Sequence, residues 1–230
     1  MMAQQGIVKG DALQRIGSAG FILGAILIVI GNILLPRAVD ARNVQEMVTA
    51  MGQRQFLTQI SALLIMIGIW AVMTGAAGIY RSITTGGAAW ARLGFYFVVV
   101  GTALWIVNLA LDMASASAVA NWLAAPATGR DAAYDVVSAL SAFGLGVFSM
   151  NITVYWMAFA FLGVGMVRSA AYPRWLSWAG LILNAPVASL GIIQIVTGRL
   201  NTLNLIFMVL SLLSALWILA TGIWVARKAW

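Results

Sequence analysis

The sequence predicts an all-α, polytopic integral membrane helix bundle with six transmembrane helices, both termini cytoplasmic, and a short amphipathic outer helix after the first span. Three observations predict it. Hydrophobic residues make up 63% of the 230 and charged residues only 8%, whereas soluble domains carry about 25% charge. A chain so poor in charge cannot cover a water-facing surface. Apolar runs long enough to cross a bilayer, about 20 residues each, recur along the whole length. The cations sit between these runs and divide unequally between alternate connections. The chain therefore reads as a single membrane domain, residues 1–230, with spans at about 16–35, 56–80, 93–117, 135–167, 175–197 and 202–225.

A polar tail leads to Arg15 and the first span. The apolar core of a signal peptide is about 7–15 residues long. This run continues through Gly31 and Leu35, so it reads as a retained helix, closed by Pro36. Gly20 and Gly24 form a small-xxx-small pair that lets another helix approach. In the polar connection that follows, Val44, Met47, Val48 and Met51 recur at helical spacing, and Asn43 with Glu46 resembles a capping box. This predicts an amphipathic helix lying on the outer interface. The second span carries Ala71, Gly75 and Gly78 for helix contact, and a short loop with Gly86 and Gly87 leads to the third.

Residues 119–131, with Trp122, Pro126 and Gly129, read as an outer loop at the interface. The apolar segment 132–167 would reach about 54 Å as a helix, against roughly 30 Å of hydrocarbon. It must protrude, tilt or break, and Gly144 and Gly146 mark the expected kink. The fifth span contains Asn184-Ala185-Pro186, where the proline frees a carbonyl and can kink the helix.

Orientation follows from the cations. Lys9, Arg15, Arg81, Arg92, Arg168, Arg174, Arg227 and Lys228 gather on one side; Arg37, Arg42, Arg54, Arg130 and Arg199 gather on the other. The richer side is expected to be cytoplasmic.

Composition also limits the chemistry. Cysteine and histidine are absent, which removes thiol chemistry, disulfides, Cys/His metal sites and imidazole-held haem. The two lysines, Lys9 and Lys228, lie in the tails, so no mid-membrane retinal Schiff base can form. The net charge of +7 is accounted for by loop cations and anionic lipid. No basic stripe with interleaved aromatics indicates nucleic acid. No nucleotide, metal-hydrolase or nucleophile motif appears, so no catalytic residue, metal or cofactor is expected and the protein is not expected to be an enzyme.

The candidate ligand-binding residues are Asp112, Asn108, Asn32 and Gln194. Asp112 is an acidic side chain set within an apolar span, with Asn108 one turn deeper on the same face. Asn32 and Gln194 approach the same outer level from the first and fifth spans. Together they can converge on an outward-opening polar pocket, because intramembrane ionisable residues mark function. The opposing reading pairs Asp112 with Arg130 or Arg37 at hydrated depth. Asn151 and Asn184 lie deeper, where an amide is expected to hydrogen-bond a neighbouring helix. Trp90, Trp122, Trp175, Trp178, Trp224 and Trp230 fall near interfaces as an aromatic belt. Trp70, Trp105, Trp156 and Trp217 are deeper, available for packing or for stacking on a pigment, quinone or lipid tail.

Arg15-Ile16-Gly17 opening the first span, and the run Tyr172-Pro173-Arg174-Trp175-Leu176-Ser177-Trp178-Ala179-Gly180 opening the fifth, resemble a family of uncharacterised bacterial integral membrane proteins of about this length. The resemblance implies a bacterial plasma-membrane protein and no particular activity. The functional expectation is a non-catalytic membrane subunit or scaffold. Its partners would be membrane lipids and a partner membrane protein or a second copy of the chain. The alternatives are a small-solute or lipid transporter built around Asp112, and a sensor using residues 37–55.

Overall fold

The computed structural model describes residues 7–36, 43–198 and 200–230. Arg37, Asp40, Arg42 and Arg199, the first six residues of the tail, and the side chain of Val44 lie outside the described residues. Helix α1 (Ala12–Leu34) starts at Asp11, whose carboxylate accepts from the Gln14 amide at 3.0 Å, and stops before Pro36. Helix α2 (Val44–Gln53) is capped by Asn43, which accepts from the Glu46 amide. Helices α3 (Gln55–Ser82), α4 (Ala88–Ala124), α5 (Arg130–Val167), α6 (Arg174–Thr197) and α7 (Asn201–Ala229) follow. A single 3-10 turn, Ala127–Gly129, sits between α4 and α5. All of these except α2 and the 3-10 turn are long and apolar enough to cross a membrane, six in number.

The six long helices form a closed ring in chain order. Each packs on the next, and α7 packs back on α1. Short connections explain the sequence of antiparallel neighbours. The tight turn before α4 depends on Gly86, whose φ is +62° and whose missing Cβ leaves room for the Arg168 carbonyl. The α1–α3 contact is made backbone to backbone. A Cβ on Gly24 would lie 2.6 Å from the Gly68 carbonyl, and one on Gly31 would lie 2.9 Å from that of Ser61. The same device recurs where Gly94 meets Ala158, Gly163 meets Leu181 and Gly222 meets Phe21. Phe21, Ile69, Val72, Phe159 and Trp217 belong to one continuous core, and the Trp217 indole donates to the Leu176 carbonyl at 2.8 Å.

The two chain ends lie on one face of the ring. The Gly10 amide and the Arg15 guanidinium both donate to the Ala229 carbonyl, at 2.9 and 3.1 Å, and Arg15 also lies over the Trp230 ring. Asp11 faces Arg81 at 3.7 Å on the same side. Nearby, the Tyr172 hydroxyl meets Ser82 at 2.6 Å. Burial pushes the Tyr172 phenol above its ordinary value, while the Ser82 hydrogen bond lowers it. The turn therefore keeps a neutral hydroxyl at this junction.

The opposite face departs from expectation in two ways. Residues 119–124 continue α4 instead of forming a loop. Helix α5 runs unbroken past Gly144 and Gly146, so the long segment does not break there. At 37 and 38 residues, the two helices reach about 55 Å, well beyond the hydrocarbon thickness. The expected amphipathic helix α2 forms after the first span and packs on α4 and α5. Val48, Val119 and Val137 form a small separate core there. Gly52 meets Val119, and Gln55 donates to Ser117 at 3.0 Å. The apolar face of α2 finds part of its cover in this cluster. Helix α6 also runs unbroken through Pro186, which is exposed.

Candidate ligand-binding site

The first-half helices α1 and α3 return their buried hydroxyls to their own carbonyls. Ser18 donates to Arg15, Ser61 to Leu57 and Ser82 to Ile79. The second half does the same at Ser141, Ser177 and Thr221, but it holds unpaired groups as well. Among the described residues, the buried side-chain polar atoms without a hydrogen-bond partner all lie on α4–α7. They belong to Thr102 and Trp105 on α4, Asn151, Tyr155 and Trp156 on α5, Asn184 and Gln194 on α6, and Ser211 and Ser214 on α7. Both amide atoms of Asn151 and of Gln194 are unpaired, and those residues are 0% and 3% exposed.

Helix register brings much of this set together. A Cβ on Gly101 would lie 2.9 Å from the Tyr155 Cα. Two turns farther out, about seven residues on each helix, Asn108 stands opposite Phe148. On the other flank, a Cβ on Gly191 would lie 2.7 Å from the Thr153 amide and 2.8 Å from the Ser149 carbonyl. That centres Gly191 on Asn151, and the next turn places Gln194 opposite Phe148 as well. The Trp105 ring lies edge-on to both Phe148 and Tyr155, each at 6.2 Å between centroids. Phe148 is likewise edge-on to Phe207 of α7 at 5.6 Å. Asn151 sits within this aromatic collar, one turn inward of Phe148 and one turn outward of Tyr155.

The four candidate residues fare unequally. Asn108 is buried and donates to Asp112 at 3.3 Å, one turn along the same face of α4. Asp112 is half-buried one turn farther out, opposite Gly144, where a Cβ would meet nothing within 4 Å. Gln194 shares the level of Asn108, across α5. Asn32 is on α1, which neighbours α3 and α7 in the ring, and its amide donates to its own helix at Ile28. Arg130 donates to the Ala125 carbonyl, and Arg37 lies outside the described residues. Asn184, expected to bond a neighbouring helix, donates to Gly180 of its own helix at 2.5 Å, leaving its oxygen unpaired.

Sequence reasoning passed over Thr102, Tyr155, Ser211 and Ser214. A signal was present: Thr102 with Trp105, Asn151 with Tyr155, and Ser211 with Ser214 repeat three or four residues apart, so each helix turns a polar pair to one face.

Residues 16–228 match the family described as a domain of unknown function, DUF4386. The chain belongs to the DUF4386 family. The match runs from the first turns of α1 to the last turn of α7, so the DUF4386 unit is the closed ring itself, including the polar second half. No curated protein and no solved structure matches the chain.

Proposed function

We propose that this protein is a non-catalytic membrane protein that takes an uncharged small solute or lipid into the polar interior of α4–α7, to hold it or to pass it across the bilayer. One observation carries the reading: the amides of Asn151 and Gln194 are buried among transmembrane helices with no protein partner. An unsatisfied polar group in hydrocarbon costs several kcal/mol, so a guest that satisfies these groups is strongly favoured. None of the unpaired groups is ionisable near neutral pH, which supports an uncharged guest.

The outer side offers the approach. Asn108 and Asp112 lie at that end, and residues 201–213 of α7 are all exposed or only partly buried. A scaffold for partner helices would use exposed small-residue faces, but Gly17, Gly24, Gly68, Gly94 and Gly163 are engaged inside the chain. The cation-rich face that holds both chain ends is placed in the cytoplasm by the positive-inside rule, which sets the overhang and α2 outside.

Native mass spectrometry of the full chain, released from gentle detergent, tests the proposal. The wild type is expected to retain a small-molecule or lipid adduct that the Asn151→Leu, Gln194→Leu double variant loses. An identical adduct pattern in both, or no adduct in the wild type, would refute it.

A further inference from the structure

We infer that the guest presents a ring-sized, uncharged headgroup bearing carbonyl acceptors on an apolar tail, the chemistry of an isoprenoid quinone, and that the Phe148 ring occupies its place in the empty protein. This rests on the binding reading above and names its ligand class.

The donor-only groups decide the chemistry. A hydroxyl and an amide both donate and accept, so they can satisfy one another, but an indole N–H only donates. The Trp105 indole is buried without an acceptor, beside unpaired atoms of Tyr155, Thr102 and Asn151 on the facing sides of α4 and α5. A guest that satisfies it brings an acceptor. The unpaired groups are themselves uncharged, which suits an uncharged guest; Asp112 lies outward of the collar and already takes the Asn108 amide.

Phe148 sets the size. Its ring is held edge-on by Trp105 and Phe207, and it is half-buried between the open outer stretch at Gly144 and the enclosed amide of Asn151. Rotating it outward vacates the space of one six-membered ring, walled by aromatic edges and faced by the donors. A carbonyl-bearing ring fits that space with its oxygens toward Asn151 and the Trp105 indole, and its tail leaves along the exposed outer half of α7.

The test titrates the full chain in nanodiscs with decylubiquinone by calorimetry, with decanol as a tail-matched compound lacking the ring and carbonyls. Saturable decylubiquinone binding is expected, weakened about tenfold by Asn151→Leu and by the conservative Trp105→Phe. Phe148→Ala should tighten it several-fold by removing the competing ring. Circular dichroism and size exclusion confirm that each variant is folded. Simple partitioning of decylubiquinone, equal binding of decanol, or a dissociation constant unmoved by all three substitutions would overturn the inference. If decylubiquinone fails while the native adduct persists, the ligand class is wrong and the binding reading stands. If both are absent, both fall.

Discussion

Asn151 is polar, central in its helix and completely buried, yet both of its amide atoms lack a partner. A residue kept for structure is paired; one kept for a guest waits unpaired in its absence. The two cases predict opposite effects of the same change. Asn151→Leu should stabilise the ligand-free protein by about 1–3 kcal/mol, because it removes a buried unsatisfied group at similar volume. Thermal unfolding after exhaustive detergent exchange measures this, and a lowered midpoint would mean that Asn151 is bonded after all. The sequence showed that Asn151 and Asn184 lie deep. It did not show that Asn184 turns back to Gly180 while Asn151 finds nothing, because that depends on rotamers and on which helix lies opposite. The Asn108–Asp112 pair was legible because both partners share one helix, whereas the convergence with Asn32 required a helix order that no local pattern encodes.

Helix α2 poses the same problem one level up. Its periodicity and its Asn43 cap were readable, but periodicity reports an apolar face without naming what covers it. The cover is the α4–α5 overhang, through Val48, Val119 and Val137. The length of α5 had already ruled out a simple span, and the helix proved to be continuous where a kink was expected. Docking through so small a cluster makes α2 a separable unit. Val48→Asp places a carboxylate at a position only 2% exposed, so α2 should leave the overhang while the membrane core stays folded. Protease added from the outer side should then cut at residues 43–55 many times faster than in the wild type, with the thermal midpoint of the core shifted little. Equal resistance in variant and wild type would mean that α2 is held by something other than this cluster.

For the molecule as a whole, the number of spans was accessible from apolar runs, but the order of helices around the bundle was not. Nor was ring closure, because it joins residues at opposite ends of the chain, and nothing in a local window marks Arg15 as the partner of Ala229. The absence of cysteine provides a clean background for mapping the ring in the membrane. Single cysteines at Lys9 and Lys228 should both react with an impermeant maleimide only when the cytoplasmic face is open, and one at Gln53 only from outside. Labelling of Lys9 and Lys228 from different sides would contradict the closed ring, and labelling of both from outside would reverse the proposed orientation.

That Arg15 contact spans 214 positions of chain. At roughly 5–20 residues per second, the ribosome needs on the order of ten to forty seconds to traverse that distance. Throughout that interval α1 and α3 can already be zipped together through their glycines, while the polar pairs on α4, α5 and α6 have no final wall. Nascent protein therefore passes through a stage in which its most costly surface faces either lipid or the insertion machinery, and only the arrival of the last helix ends it. Truncations near the C-terminus should accordingly be cleared by quality control far more readily than their small loss of mass would imply.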